Sequence, residues 1–205
     1  MSAPAAPGAG YRQIRAAYTG RTITVYQAFS PAIADAALAA GTFVPPFRRH
    51  RATWIKPSFL WMAYRCGWAA KPGQERVLAV EITRDGFHWA LEHSCLTHYE
   101  PGTYPDPRAW HDRMKATCVR IQWDPERGLH GEALGCRSIQ VGLSGDAVGR
   151  YVGHWIVSLS DVTGRMRQIH ALVCAGRDDA ARDLLPAEEP YPLAPDLAAR
   201  IGATG

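Results

Sequence analysis

The apolar and polar positions near the start of the chain predict a strand that runs directly into a helix. Ile23, Val25 and Tyr26 form a short β-favouring run within TITVYQAF. Ser30-Pro31 then supplies a helix N-cap and a first helical residue, and Gly41 supplies a stop signal. The pattern predicts a strand-to-helix corner over residues 22–43. Such corners expose unpaired N–H groups and often hold ligands, although an ordinary βα unit without a site has the same pattern.

The same reasoning along the chain predicts a mixed set of elements. A helix is expected at Pro57–Tyr64, and a capped helical turn or short helix at Ser144–Val152. Strands are expected at Thr53–Lys56, Arg76–Arg84, Ala116–Trp123, Arg137–Leu143 and Trp155–Ser160, with Phe87–Leu91 as a continuation or partner. The fold class predicted is α+β, with a bent, mostly antiparallel sheet and helices near the N-terminus.

The remaining stretches set the expected domain organisation. Residues 93–113 are irregular and rich in proline, which is typical of a substrate lid or of a simple insertion. By composition, residues 1–10 are a disordered leader, 11–176 a single catalytic or binding domain, and 177–205 a helical patch followed by a Pro-rich tail. The tail is expected to wrap the surface.

Composition narrows the function without choosing one. With 205 residues, 47% of them apolar, the chain suits one domain. The net charge of +4 permits an anionic partner but does not require one. Five cysteines without a CxxC pair favour neither a disulfide framework nor a zinc ribbon, and the histidines lack metal-site spacing. The absence of a signal-like start and of a membrane-length apolar run predicts a soluble, cytoplasmic protein.

Candidate chemistry is concentrated between residues 43 and 68. The most basic run of the chain, Arg48 to Arg51, precedes Trp54, Lys56, Ser58, Trp61 and Arg65. Lys56 lies between Ile55 and Pro57, so a semi-buried ammonium in need of an anionic partner is expected. Each tryptophan suits either a cleft wall or the core. Arg15, just before the first strand, is either a clamp for a phosphate or a solvated side chain.

Five segments of the chain closely resemble a bacterial and fungal family known as domain of unknown function family 4291. These segments are RQIRAAY, ITVYQAF, TWIKPSFLWMAYRCGW, ERVLAVEI and RSIQVGL. The resemblance covers about residues 11–174 and implies little about chemistry. The GxSxG, P-loop, HExxH and GxGxxG motifs do not occur in the sequence, so the common enzyme classes that use them lack support.

A more distant resemblance is to ADP-ribosyltransferases of the diphtheria-toxin-like and nucleic-acid-modifying types. In those enzymes an early strand carries a Tyr-His pair and runs into a helix ending in glycine. VYQAFSPAIADAALAAGTF resembles that unit, with Gln27 in place of the His. Their catalytic Glu lies on a later strand, before a helical turn and a strand with Asp-Val. RSIQVGLSGDAVGRYVGHWIVSLSDV resembles that layout, with Gln140 in place of the Glu.

This resemblance implies an NAD-dependent transferase with an ADP-ribosyltransferase-like fold and NAD as substrate. Splitting NAD requires a cation at the diphosphate, an aromatic wall at the nicotinamide and a hydrogen-bonding group at the ribose. Candidates for catalysis are Gln140, Lys56 and Arg51, and candidates for NAD binding are Arg15, Tyr26, Gln27, Trp54, Trp61 and Arg65. DNA or RNA is the preferred acceptor over protein. No membrane partner and no metal are expected.

Two departures from the ADP-ribosyltransferase pattern leave alternatives open. A glutamine offers only a hydrogen bond where the family's glutamate also offers charge. Either another carboxylate serves, with Glu132, Asp146 and Glu81 as candidates, or the chain is an altered or inactive member. The competing hypothesis is a non-catalytic nucleotide-, RNA- or DNA-binding module that uses the same basic and aromatic surface. A third interpretation is a scaffold whose aromatic residues form only core and dimer interface.

Overall fold

A computed structural model describes residues 10–204. The predicted leader therefore lies outside the described residues, apart from Gly10. The strands are β1 (Arg15–Ala16), β2 (Thr22–Phe29), β3 (Thr53–Ile55), β4 (Arg76–Thr83), β5 (Ser94–Leu96), β6 (Val119–Arg127), β7 (Ala133–Leu143), β8 (Ile156–Asp161) and β9 (Glu189–Pro190). The helices are α1 (Pro31–Ala40), α2 (Phe59–Cys66), α3 (Arg84–Glu92), α4 (Pro107–Ala116), α5 (Asp146–Arg150), α6 (Thr163–Cys174), α7 (Asp178–Asp183) and α8 (Pro195–Ile201), and a π-helical turn spans Tyr151–Trp155.

These elements form a single α+β domain built on two main sheets. One sheet has the order β2-β4-β8 and is antiparallel throughout. The other has the order β3-β7-β6-β5, in which only β5 and β6 run parallel. The α+β class and the mostly antiparallel pairing are therefore confirmed. The expected single bent sheet is instead two sheets, which touch where Tyr26 and Lys56 exchange backbone hydrogen bonds of 2.7 and 3.3 Å.

The strand-to-helix corner near the start of the chain forms as its sequence predicts. Ser30 is extended, Pro31 opens α1, and Gly41 ends the helix with a φ of 68°. A positive φ strains residues with a Cβ, so glycine is the residue that suits this position. The Ser30 side chain makes no capping hydrogen bond, so the fixed φ of Pro31 is the stronger local determinant of where the helix begins.

Helices occur along the whole chain, so the expectation that they lie near the N-terminus is wrong. Phe87–Leu91, expected as a strand, is part of α3. Its buried residues Phe87, Ala90 and Leu91 have helical spacing, and the Thr83 hydroxyl accepts a hydrogen bond from the Gly86 N–H at 3.1 Å. The stretch 93–113, expected to be irregular, contains β5 and most of α4, which Asp106 caps.

The main hydrophobic core is shared by the two sheets. It contains Val25 of β2 and Val80 of β4 together with Ile121 of β6 and Val141 of β7, all fully buried, and α3 contacts both sheets. A second cluster covers the opposite face of β2 and β4, where α2 and α6 pack. The segment after residue 176 contributes Tyr191, Leu197 and Ile201 to the main core. None of the helices described between residues 10 and 204 is long and apolar enough to cross a membrane.

Candidate functional site

A polar cleft opens where the end of β2 meets β3, at the contact between the two sheets. Its volume is about 580 Å³, which is within the range of small-molecule sites, about 300–1,000 Å³. The lining residues are Gln27, Ala28, Phe29, Arg51, Ala52, Thr53, Trp54, Lys56, Met62, Arg65, Gln74, Gln122 and Gln140. Three cations and four primary amides thus converge from β2, β3, α2, β6, β7 and the connecting loops. We call this space the central cleft.

Six of the nine residues singled out from the sequence line the central cleft. They are Gln27, Arg51, Trp54, Lys56, Arg65 and Gln140. These side chains come from segments up to 113 positions apart (140 minus 27). The pairing of β3 with β7 brings Trp54 next to the Gln140 strand, and Gln27 reaches β3 through hydrogen bonds to Thr53 and Trp54. The fold therefore makes one site from most of the candidate residues.

The other three candidate residues do not line the cleft. Tyr26 is buried on the opposite face of β2, against Phe59. Trp61 is 7% exposed, and its ring centroid lies 5.6 Å from the Lys56 Nζ. Arg15 is held away from the cleft because β1 pairs with β9, where its Nη2 donates to the Glu188 carbonyl at 2.7 Å.

Lys56 is the most perturbed cation of the cleft. The residue is 7% exposed, and its Nζ donates a single long hydrogen bond of 3.3 Å, to the Trp54 carbonyl. Burial, followed by the neighbouring Arg65 charge, lowers the pKa of Lys56 to about 8. An ammonium in this setting is stabilised by an anion, and its neutral form is accessible near physiological pH.

The Gln27 amide is occupied by bonds within the protein. Its Nε2 donates to the Thr53 hydroxyl at 2.6 Å and to the Trp54 carbonyl at 3.1 Å. Its Oε1 accepts from the Tyr151 hydroxyl at 2.7 Å. Gln27 therefore fixes the position of β3 against β2, and with it the position of Trp54 and Lys56. These contacts explain why a residue predicted to face a ligand is only 3% exposed.

Gln140 belongs to a hydrogen-bonded group that includes a carboxylate the sequence reasoning missed. The Gln140 Nε2 donates to the Asp124 Oδ2 at 2.5 Å, and the Gln122 Nε2 donates to the Oδ1 at 2.8 Å. Asp124 lies beside the cleft and, with Gln122, lines an adjoining recess of about 300 Å³. The alternation of β6 contained the signal. Val119, Ile121 and Trp123 are buried, which places Gln122 and Asp124 on the face of Gln140.

The three carboxylates proposed from the sequence lie elsewhere. Glu132 accepts from the His130 N–H in the β6–β7 turn, and Asp146 forms an exposed ion pair with Arg150 on α5. Glu81 accepts from the Ser158 hydroxyl on the other sheet. None of them lines the central cleft, because the chain segments nearest Gln140 in sequence turn away from it.

Trp54 covers the sheet surface at the back of the cleft. It faces Gly142 across the β3–β7 pair, and a Cβ on Gly142 would lie 2.8 Å from the Trp54 Cζ2. Only a glycine therefore lets the indole lie against the strand. The partly exposed indole ring of Trp54 offers an aromatic surface next to Gln140. The Trp54 backbone carbonyl accepts hydrogen bonds from both the Gln27 and the Lys56 side chains.

The fold and the site together define an α+β protein with a basic, amide-rich cleft between two sheets. The family model described as "Domain of unknown function (DUF4291)" matches residues 13–191. The chain belongs to this family. A search of curated proteins found no match to the chain.

Proposed function

We propose that this protein is an ADP-ribosyltransferase-like enzyme that binds NAD in the central cleft and transfers ADP-ribose to a nucleic-acid or protein acceptor. The observation that carries the proposal is the convergence of Gln27 and Gln140, from the two segments that resemble those enzymes, on one cleft with three cations. The proposal includes an ADP-ribosyltransferase-like arrangement of the two sheets.

In this proposal the cations hold the diphosphate of NAD. Arg51 and Arg65 are both exposed and line the cleft, and the Arg65 Nη1 donates to the Gln74 Oε1 at 3.3 Å. A guanidinium can donate two parallel hydrogen bonds to a phosphate, which fixes both position and orientation. Lys56 adds a buried charge to the same cleft. Arg15, which the resemblance offered for this role, lies outside the cleft.

Trp54, Gln140 and Asp124 then form the reaction end of the cleft. The nicotinamide ring lies against the Trp54 indole, and the ribose hydroxyls meet the Gln140 amide. The bond between ribose C1′ and the nicotinamide nitrogen breaks, and its electron pair leaves with the nicotinamide. An oxygen or nitrogen of the acceptor forms the new bond to C1′, and its proton passes to water. Asp124, held by Gln140 and Gln122, supplies the negative charge that a glutamine lacks.

A reducing compartment fits the chemistry of the chain. All five cysteines are free thiols, and Cys66 and Cys95 are buried. Structural disulfides are the usual choice of secreted proteins, whereas free buried thiols suit the cytoplasm. We therefore place the proposed activity in the cytoplasm, where NAD is available.

The direct test combines NAD titration with a transfer assay on single substitutions. Calorimetry should give a binding heat for NAD, and labelled NAD should transfer label to DNA, RNA or protein. Gln140→Ala should abolish transfer with the fold intact, and Asp124→Asn should lower the rate about 100-fold or more. Gln140→Glu should preserve or raise the rate. Gln168→Ala, on the exposed side of α6, is the matched control.

Two results would count against this proposal, and they differ in scope. If the protein neither binds NAD nor transfers label to any acceptor, the proposed function is wrong. If the Gln140→Ala variant transfers label normally, the activity stands but Gln140 has no part in the mechanism.

A second candidate is a non-catalytic nucleotide- or nucleic-acid-binding module. The exposed run Arg48 to Arg51, beside the cleft, supports it. Binding through phosphates releases counterions, so affinity should fall steeply as salt concentration rises. Salt-dependent binding without any transfer of ADP-ribose would favour this candidate. An affinity that does not change with salt concentration would exclude it.

A further inference from the structure

A second cavity lies beside the central cleft and differs from it in chemistry. Its volume is about 500 Å³, and its wall comes from the end of β2, the first turn of α1 and the loop before β3. The lining residues include the apolar side chains of Phe29, Ala32, Ile33, Pro46 and Phe47. We call this cavity the side pocket. Its lining is mostly apolar, whereas amides and cations dominate the central cleft.

The side pocket adjoins the central cleft. Phe29, Arg51, Ala52 and Thr53 line both cavities, so a ligand in one lies close to a ligand in the other. Arg51 belongs to this shared boundary.

The aromatic side chains of the side pocket are held in fixed positions. Phe47 is 8% exposed and stacks on Phe43 with ring centroids 4.7 Å apart. Phe29 meets Phe47 edge-on at 5.9 Å. A rigid aromatic wall of this kind accepts a flat ring at little cost in side-chain entropy.

The surface around the side pocket is strongly basic. Arg48, Arg49, His50 and Arg51 are consecutive and exposed, and Arg48 lines the pocket with Arg51. Among the salt bridges between residues 10 and 204, none involves these arginines. An apolar pocket large enough for a base, bordered by arginines without acidic partners, matches a chain of alternating bases and phosphates.

We infer that the side pocket binds one unstacked base of a single-stranded nucleic acid, whose phosphates lie on Arg48 and Arg49. A nucleic acid bound in this way is the acceptor of the proposed function, so its role as acceptor rests on that function. Binding of the nucleic acid in the side pocket does not depend on the proposed function. The base in the side pocket lies beside the central cleft, which is where an acceptor for ADP-ribose must be presented.

The test fills the pocket without removing a core side chain. Ala32 is exposed at the start of α1, and Ala32→Trp would place an indole in the side pocket. Anisotropy with a labelled single-stranded oligonucleotide should show an affinity about tenfold or more below that of the unmodified protein. Ala39→Trp, on the exposed end of the same helix, is the control and should bind normally. An otherwise identical oligonucleotide without bases should bind both variants equally.

The arginines are tested separately by salt dependence. Removal of one arginine that binds a phosphate should flatten the slope of log affinity against log salt by about 0.7 for a single strand. Arg48→Ala and Arg49→Ala should each show this change, whereas Arg108→Ala on α4 should not.

The outcomes separate this inference from the proposed function. If the unmodified protein does not bind the oligonucleotide, or if Ala32→Trp binds it normally, the inference is wrong even where NAD binds. If Ala32→Trp loses NAD binding but keeps oligonucleotide binding, the side pocket belongs to NAD, which also overturns the inference. Oligonucleotide binding that Ala32→Trp weakens, in a protein that does not bind NAD, supports the inference while the proposed function fails.

Discussion

At the scale of single residues, Lys56 and Asp124 show how differently sequence and structure report on chemistry. The apolar neighbours Ile55 and Pro57 predicted a semi-buried ammonium, and Lys56 is indeed only 7% exposed. Asp124 could not be predicted as a site residue, because its role depends on Gln122 and Gln140, which reach it only through the pairing of β6 with β7. The neighbouring residues in the sequence were enough to predict the burial of one side chain. The site itself forms only when distant strands pair.

Replacement of Lys56 should stabilise the protein while it weakens binding. The pKa of Lys56 is about 8 in the folded state, below the ordinary value of 10.5. The difference corresponds to an unfavourable free energy of about 3 kcal/mol for the charged form. Lys56→Met keeps the length of the side chain and removes the charge, so we expect the free energy of unfolding in urea at pH 7 to rise by about 1–3 kcal/mol. Affinity for NAD should fall by tenfold or more.

The lowered pKa of Lys56 also predicts the direction in which stability changes with pH. Below pH 8 the ammonium is charged in both states, and its burial cost is fully present. Between pH 8 and 10.5 the folded state releases the proton that the unfolded state keeps, so stability gains as pH rises. Burial raises the pKa of Glu188 to about 8, which acts in the opposite sense below pH 8. The difference curve between the unmodified protein and Lys56→Met isolates the lysine, with exposed Lys115→Met as control. A Lys56→Met variant of lower stability would contradict this account.

At the scale of elements, the helices and strands with clear start and stop residues in the sequence were predicted well. Residues 22–43 combine β-branched residues, a Pro at the first helical position and a closing Gly, so strand and helix were both anticipated. Helix α6 was not, because polar residues interrupt its apolar ones and only Thr163, Met166 and Ile169 are buried. The error at 87–91 has a related cause, since a run of five residues that are apolar except for His88 suits a strand as well as a buried helix face.

The contact of β3 with β7 gives an element-scale prediction. Gly142→Ala would place a Cβ 2.8 Å from the Trp54 indole, so the ring or the strand must move. We expect a loss of about 1–3 kcal/mol in the free energy of unfolding and altered Trp fluorescence. Gly149→Ala is the same chemical change in α5, where no atom lies within 4 Å of the added Cβ. It should be neutral or stabilise by about 0.5–1 kcal/mol. Equal stability of the two variants would show that Trp54 does not pack on this strand.

At the scale of the whole molecule, the segment beyond residue 176 packs into the same core as the strands that form the central cleft. The segment beyond residue 176, expected to be a surface tail, places Ile201 in the main core at 0% exposure. The Ile201 carbonyl accepts from the Trp123 indole N–H at 2.7 Å, one residue before Asp124. The sequence could not show this because α8 has only seven residues and its Ile201 carbonyl bonds to an indole almost 80 positions away (201 minus 123).

Truncation of the Ile201 side chain measures how much the packing of α8 contributes to the free energy of unfolding. Ile201→Ala should lower the free energy of unfolding by about 2–5 kcal/mol, because it leaves a cavity in a fully packed core. Val157→Ala, at a position that is 55% exposed, should change it by less than about 0.5 kcal/mol. Urea titration of both variants provides the comparison. A loss below about 1 kcal/mol for Ile201→Ala would mean that α8 is not an integral part of the fold.

The central claim is that the cleft between the two sheets binds NAD, and a crystal structure of the protein soaked with NAD tests it most directly. The account predicts density for the diphosphate between Arg51, Lys56 and Arg65, and the nicotinamide ribose against Gln140 next to Asp124. NAD bound elsewhere on the molecule, or a cleft that stays empty at saturating NAD, would contradict it.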